Sequence, residues 1–372
     1  MAKYKISVLP GDGVGKEVVE AAKIVLDALK LDAEYIYGDI GWEFWKHEGN
    51  ALPERTIQLL KETDCCLFGA ITSMPKEEAV AELDERLRDK GLVYFSPIVK
   101  MRQMFDLYVN LRPCKAYPGN PLNYREDIDI VVFRENTEDL YSGVEFHPVP
   151  DEVRQALDKN SPAMKKFAGA ASGDMAISLR IITRKSAQRI IRAAFEYAKK
   201  TGRKSVTLVE KPNVIRETSG LMLREARKIA KEYPGIAFWE ANIDAMCMWL
   251  VKNPQDYSVL CTSNMFGDIV SDLAGQLVGG LGFAASANTG DKYGVFEPVH
   301  GSAPKYTGMY KVNPIATIFT SKLMLDWLGE TEKATKIEQA VIKVLQEGKV
   351  RTYDLGGKAT TLEVAEAIAG KL

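Results

Sequence analysis

Charge of one sign, disulfide chemistry and long apolar runs are all missing from this sequence. Lys and Arg number 49 against 50 Asp and Glu, a formal net charge of -1, so no overall basic field points to nucleic acid and any anion site has to be local. The five cysteines, Cys65, Cys66, Cys114, Cys247 and Cys261, are odd in number, show no CxxC spacing and lie partly in apolar runs. That is the pattern of reduced, buried thiols rather than of a disulfide framework or a zinc site. No stretch approaches the ~18 apolar residues of a membrane span, and the chain enters a strand-like run just after Met1. The expected location is the cytoplasm, with neither membrane nor nucleic acid as partner. No internal repeat is evident.

What is present suits about two globular domains: 372 residues, 46% hydrophobic and 27% charged. Strand-like runs at 4–9, 64–71, 129–133, 178–183, 205–210, 236–240 and 257–261 alternate with helix-period stretches at 16–29, 53–61, 187–200, 219–232, 313–328 and 334–347, and with one that follows a Ser263-Asn264 cap and ends in the glycines before residue 283. Such alternation marks an α/β fold. Residues 76–90 read as a charged, solvated helix or lid, and residues 148–176 as an excursion from the core with little periodicity. The first strand leads into a glycine turn, G-D-G-V-G over 11–15, and then a helix, but the spacing is not GxGxxG and no acidic partner ends the second strand. A nucleotide is expected; Rossmann geometry is not.

Asp268 and Asp272 stand four residues apart after a Ser263-Asn264 cap, so both carboxylates project from one helical face within roughly 5–6 Å. Like charges at that spacing repel, which metal sites exploit; the alternative is two solvated aspartates favoured by the helix dipole. Asp244, just past a strand, adds a third carboxylate. Without a cysteine or histidine beside them, the three make an oxygen set of the kind Mg2+ or Mn2+ takes. Arg102, Arg112 and Arg134 each sit beside a strand or helix end. Converging, they would pair with a substrate carrying several carboxylates; singly, each is an ordinary salt-bridge residue. Lys211 follows an apolar strand directly, where partial burial lowers a lysine's pKa, and Tyr141 could donate a proton. The alternatives are a snorkelling lysine and a half-buried tyrosine. His300 either touches a nucleotide or caps a turn.

The order of eight stretches, LPGDGVG (9–15), MRQMFDLYVNLRP (101–113), FRENTEDLYSGVE (133–145), VEKPNV (209–214), NIDAM (242–246), SNMFGDIVSDLAGQLVGGLG (263–282), HGSAPKYTG (300–308) and KVNP (311–314), resembles the β-decarboxylating dehydrogenases of the isocitrate/isopropylmalate dehydrogenase family. The resemblance implies a two-domain α/β fold with a non-Rossmann nucleotide site. Its large domain would comprise 1–107 and 279–372 and its small domain 108–278, with a clasp-like arm at 141–177. It implies that Arg102, Arg112 and Arg134 clamp the malate part of the substrate, that Lys211 and Tyr141 transfer protons, and that Asp244, Asp268 and Asp272 hold Mg2+ or Mn2+. It also implies a homodimer with shared active sites, because Lys211 and Asp244 serve the neighbouring subunit.

The activity so implied is oxidative decarboxylation of isocitrate to 2-oxoglutarate and CO2, with homoisocitrate or 3-isopropylmalate as alternative substrates. A catalytically silent regulatory subunit is the non-enzymatic alternative. Ser96 matches the serine that meets the γ-carboxylate in isocitrate dehydrogenases, while Ile98 stands where they carry an asparagine. For the nucleotide the resemblance implicates Thr72, His300, Gly301, Lys305, Tyr306, Asn313 and Tyr353. Lys305-Tyr306 replaces the aspartate of NAD-using relatives, and Tyr353 matches a tyrosine at the 2'-phosphate. Gly357 replaces an arginine that usually completes that set. NADP is the expected cofactor, with NAD as the alternative.

Overall fold

The computed structural model describes residues 2–372. Its strands are β1 Tyr4–Gly11, β2 Ala33–Tyr37, β3 Cys65–Ala70, β4 Val109–Lys115, β5 Asp129–Glu135, β6 Glu145–Phe146, β7 Ile177–Ser178, β8 Ser205–Glu210, β9 Ala237–Asn242, β10 Val259–Thr262, β11 Ala285–Thr289 and β12 Gly294–Pro298. Ten of them form one sheet in the order β2-β1-β3-β12-β11-β4-β5-β10-β8-β9, and β6 pairs with β7 in a separate ribbon. The sheet is parallel in both wings. Three antiparallel pairings, β12 with β11, β11 with β4 and β4 with β5, join the wings.

Parallel strands are covered on both faces and so read as continuous apolar runs, as in β3, where every residue is buried. On β5 the alternation sorts side chains: Val131 and Phe133 enter one core with the helix Arg184–Thr201, while Ile130 and Val132 enter another with the helix Asn264–Gln276. In the other wing the helix Ile315–Trp327 is buried almost all round, packed on β11 and β12. Helix ends follow local chemistry. Thr183 accepts from the Ser186 amide at the start of Arg184–Thr201, Gly202 closes that helix at φ +71°, and Thr360 with Glu363 forms a capping box.

The strand expected over 178–183 is shorter than its pattern suggests. Regular pairing ends at Ser178 and only Ile181 bridges to Asp139, because Arg180 is drawn inward to buried acceptors and Thr183 is committed to its cap. The 148–176 excursion holds a helix, Asp151–Asn160, which places Val153, Ala156 and Leu157 on one face but buries no residue in the single chain. β11 escaped the strand pattern because its alternation, Ala285 and Ala287 against Ser286 and Asn288, rests on two small alanines, although it lies deep in the sheet. All five cysteines are free thiols, four of them buried. Among the described residues no helix is long and apolar enough to cross a membrane.

Candidate active site

Neighbouring strands deliver the charged groups. β4 carries Arg112, β5 carries Arg134, and β10 runs through Ser263 into the helix Asn264–Gln276, which holds Asp268 and Asp272. Gly267 lets that helix lie on Arg134, since a Cβ there would stand 2.5 Å from the arginine Cγ. Arg134 donates from Nη1 to Asp268 and from Nε to Asn264 Oδ1 at 3.0 Å. Arg112 spans both aspartates, with Nη1 2.8 Å from Asp272 Oδ1 and Nη2 3.3 Å from Asp268 Oδ1. Tyr141 donates from its hydroxyl to Asp268 Oδ2 at 2.7 Å, and the Arg134 guanidinium lies 5.0 Å from its ring centre.

Arg102, on the helix Pro97–Met104, faces the same place from the other wing, and its charge is felt at Arg134, Tyr141 and Asp268. Arg112 and Arg134 meet at Asp268, and Arg102 is tied to Arg112 through buried side chains. A buried chain of polar groups sets two of them: Arg102 pairs with Glu297 at 2.9 Å, Asn288 donates to Glu297 at 2.8 Å, Asn110 donates to Asn288 at 2.7 Å, and Arg112 donates to Asn110 at 2.9 Å. Sequence reasoning missed Asn110, Asn288 and Glu297. They sit on β4, β11 and β12, none of which the sequence pattern marked as a strand.

Burial and neighbours tune these groups in opposite directions. Burial would raise the Asp268 carboxyl, but Arg134 and Arg112 outweigh it and hold its pKa below the ordinary value. Asp272 is raised, by burial first, although Arg112 pulls the other way. Burial and the bond to Asp268 raise the Tyr141 phenol, which keeps its proton at neutral pH. Burial, then Arg112, brings Arg134 down to about 10, still a cation near neutrality.

Lys211, directly after β8, donates from Nζ to Asp244 Oδ1 at 2.5 Å, and that bond holds the Asp244 carboxyl below its usual value. Asp244 lies in the first turn of the helix Ile243–Lys252. Among the described residues no three His, Cys, Asp or Glu side chains of the single chain gather where they could hold a metal ion. Asp268 and Asp272 alone, spanned by one guanidinium, form a hard oxygen pair that fits a divalent cation needing further ligands. Ser96 occupies the N-cap position of Pro97–Met104 without capping it, while Ile98 is buried with Met101 and Leu107, and Phe95 is exposed.

A cleft of about 550 Å3 is lined by His300, Gly301, Tyr306, Asn313 and Tyr353, five of the expected nucleotide residues. Thr72 lies beside it, its hydroxyl 2.7 Å from Ser302 Oγ. Lys305 stands 5.0 Å from the Tyr306 ring centre, Lys311 stands 4.7 Å from that of Tyr353, and the two rings are 5.9 Å apart. Lys311 was missed by sequence reasoning, though it sits in the quoted KVNP stretch. No side chain of any kind fits at Gly357, where a Cβ would meet the Arg351 carbonyl oxygen at 2.0 Å. In the 11–15 turn, the amides of Asp12, Val14 and Gly15 are spent on the carbonyls of Ala70, Ser302 and Asp12, so they do not form an open phosphate cradle.

The profile described as isocitrate/isopropylmalate dehydrogenase matches residues 5–368. The chain is 43% identical to the 3-isopropylmalate dehydrogenase of Methanothermobacter thermautotrophicus over 100% of its own length and 99% of the relative's. It is 38% identical to the isocitrate/homoisocitrate dehydrogenase of Thermus thermophilus, covering 99% of this chain and 98% of that one. Against Legionella pneumophila protein DlpA it is 42% identical over 98% of its length but spans only 58% of that protein. The crystal structure of isocitrate dehydrogenase from Methylococcus capsulatus superposes with a TM-score of 0.86 at 37% identity, covering 99% of each chain.

Proposed function

The chain belongs to the isocitrate/isopropylmalate dehydrogenase family, and on that premise we propose that it catalyses the NAD(P)- and divalent-cation-dependent oxidative decarboxylation of a 3-substituted malate, with isocitrate as first substrate, giving 2-oxoglutarate and CO2. The observation that carries this reading is the meeting of Arg112, Arg134 and Tyr141 on Asp268, with Arg102 linked to Arg112 through Glu297, Asn288 and Asn110. The arginines pair with substrate carboxylates and fix the malate skeleton. Lys211 of a second copy takes the proton of the 2-hydroxyl, and Tyr141, held protonated, delivers a proton to the carbon that loses CO2. When bound, a divalent cation on Asp268, Asp272 and the second copy's Asp244 supplies Lewis acidity at the 2-oxygen, and a nicotinamide supplies the hydride acceptor.

The homodimer is part of the proposal. It is supported by the outward Lys211–Asp244 pair and by exposed Met248, Val251 and Ile269 on the two helices that carry Asp244 and Asp268. We also propose two domains, 1–107 with 279–372 and 108–278. The core of Val131, Phe133 and Phe195 and that of Val132, Met246 and Val270 lie wholly within the second. NADP is the proposed nucleotide, with Lys305, Lys311, Tyr306 and Tyr353 placed to meet a 2'-phosphate in the arginine's stead.

Ser96 and the unpaired first-turn amides of Pro97–Met104 suit the γ-carboxylate of isocitrate. A second reading, 3-isopropylmalate or homoisocitrate, is favoured by buried Ile98 and exposed Phe95, which offer an apolar wall instead. Purified protein supplied with Mg2+ and NADP should reduce the nucleotide with isocitrate and more slowly with the other two acids. No turnover of isocitrate removes the first reading, and no turnover of any of the three returns the silent regulatory subunit.

A further inference from the structure

Arg180 was not singled out by its sequence context, yet all five of its N–H donors have acceptors, which is every donor a guanidinium owns. Nε reaches Asp139 Oδ1 at 2.6 Å, Nη1 reaches Thr218 Oγ1 at 3.1 Å and Ser219 Oγ at 2.9 Å, and Nη2 reaches Glu210 Oε2 at 3.1 Å and Ser263 Oγ at 2.6 Å. Asp139 and Glu210 are each only 1% exposed, so one partly buried cation balances two buried carboxylates. Its planar group also lies 4.8 Å from the Phe266 ring centre.

These acceptors belong to three separate parts of the proposed site. Asp139 lies two residues before Tyr141 at φ +71°, a backbone region that non-glycine residues rarely occupy, and its other oxygen accepts the Met265 amide at 2.9 Å. Asp139 thereby caps the helix that carries Asp268 and Asp272. Ser263, the expected cap, does not do so, because its hydroxyl serves Arg180. Glu210 immediately precedes Lys211 and accepts the Ser263 amide at 3.0 Å. Ser219 donates to Glu210 at 2.6 Å and accepts the Lys211 amide at 3.3 Å.

We infer that Arg180 is a positioning residue that fixes the Tyr141 turn, the start of the Asp268–Asp272 helix and the backbone at Lys211 relative to one another. Resting on the proposed function, in which Tyr141 and Lys211 of one chain serve different active sites, this makes Arg180 a common brace for both sites of the dimer. A structural role alone would change folding; a brace changes turnover at each site.

Arg180→Lys keeps the charge and loses the fork. Its homodimer should keep its melting temperature within a few degrees and its KM within about threefold, with kcat down about 100-fold, the scale of a misplaced reacting group. Heterodimers separate the two arms. Paired with a Lys211→Ala chain, the Arg180→Lys chain supplies Lys211 to the only intact site. Paired with an Asp268→Asn chain, it supplies Tyr141 and Asp268 instead. Turnover should fall in both pairs relative to the same pairs with Arg180 intact, and a fall in only one, or in neither, overturns the inference. Should Arg180→Lys not fold, Ser219→Ala should lower turnover only in the pair that depends on its own Lys211, and unchanged turnover there overturns the inference. Activity from a Lys211→Ala chain paired with an Asp268→Asn chain, both with Arg180, tests the sharing of sites separately.

Discussion

Tyr141 and Lys211, the two groups assigned to proton transfer, each hold one aspartate, and the two pairs are built in opposite ways. The Tyr141–Asp268 pair is set against Arg134 and Arg112, both almost wholly buried, on adjacent strands. The Lys211–Asp244 pair has only itself, on a side chain 68% exposed at Asp244 against 36% at Asp268. A packed ionic cluster fixes geometry at the cost of desolvation, whereas an exposed pair contributes little to stability and remains available to a newcomer. The first half of the proposed site is therefore packed within the chain, and the second is left exposed on its surface.

The largest effects should ignore this difference. Lys211→Ala and Tyr141→Phe each should lower kcat by about 100- to 10,000-fold, the range for losing a positioned acid or base, as read by nucleotide reduction under saturating substrate. Equal stability of both variants would show that the loss is chemical.

Next come the effects that separate the halves. Arg134→Gln leaves Asp268 short of its main counter-charge and should destabilise the chain by about 3 kcal/mol in a denaturant titration. Asp244→Asn should leave the unfolding midpoint where it is while abolishing most turnover. A stable Arg134→Gln chain would mean that the closed half is no more committed than the open one. On the nucleotide side, replacing Lys305 and Lys311 together by Ala should shift preference from NADP toward NAD by about tenfold, seen as a change in the ratio of the two kcat/KM values.

Acid titration gives the smallest effect and a sign. Asp268 has a depressed folded pKa, so its contribution to stability is present above the unfolded value of about 3.9 and is lost as pH falls through the lower folded one. Asp272 has a raised folded pKa, so its ionisation opposes folding once pH passes the unfolded value. Asp268→Asn should lower stability at neutral pH and flatten its fall below pH 4, whereas Asp272→Asn should not lower it. Thermal melting across pH 3 to 7 distinguishes the two.

What could be read in advance was spacing. The four-residue step between Asp268 and Asp272 puts both within reach of the single guanidinium of Arg112, and the apolar runs of β5 and β8 place Arg134 and Lys211 at strand ends. What escaped depends on contacts between distant segments. Nothing near Asp139 announces that it caps a helix beginning 125 residues later at Asn264, and nothing near Arg180 announces its five acceptors. Gly357 shows the same limit from the other side: nothing in its neighbourhood announces that the Arg351 carbonyl stands where a Cβ would be.

The claim beneath all of this is that one chain's closed half works with another chain's open half. Lys211→Ala and Asp268→Asn chains, each inactive alone, can be unfolded together in equal amounts and refolded, and nucleotide reduction followed with the substrate that the unmodified protein turns over. Shared sites predict activity returning to roughly a quarter of that of the unmodified protein, since about half of the dimers are mixed and each mixed dimer regains one of its two sites. A mixture as inactive as its two components would contradict the account.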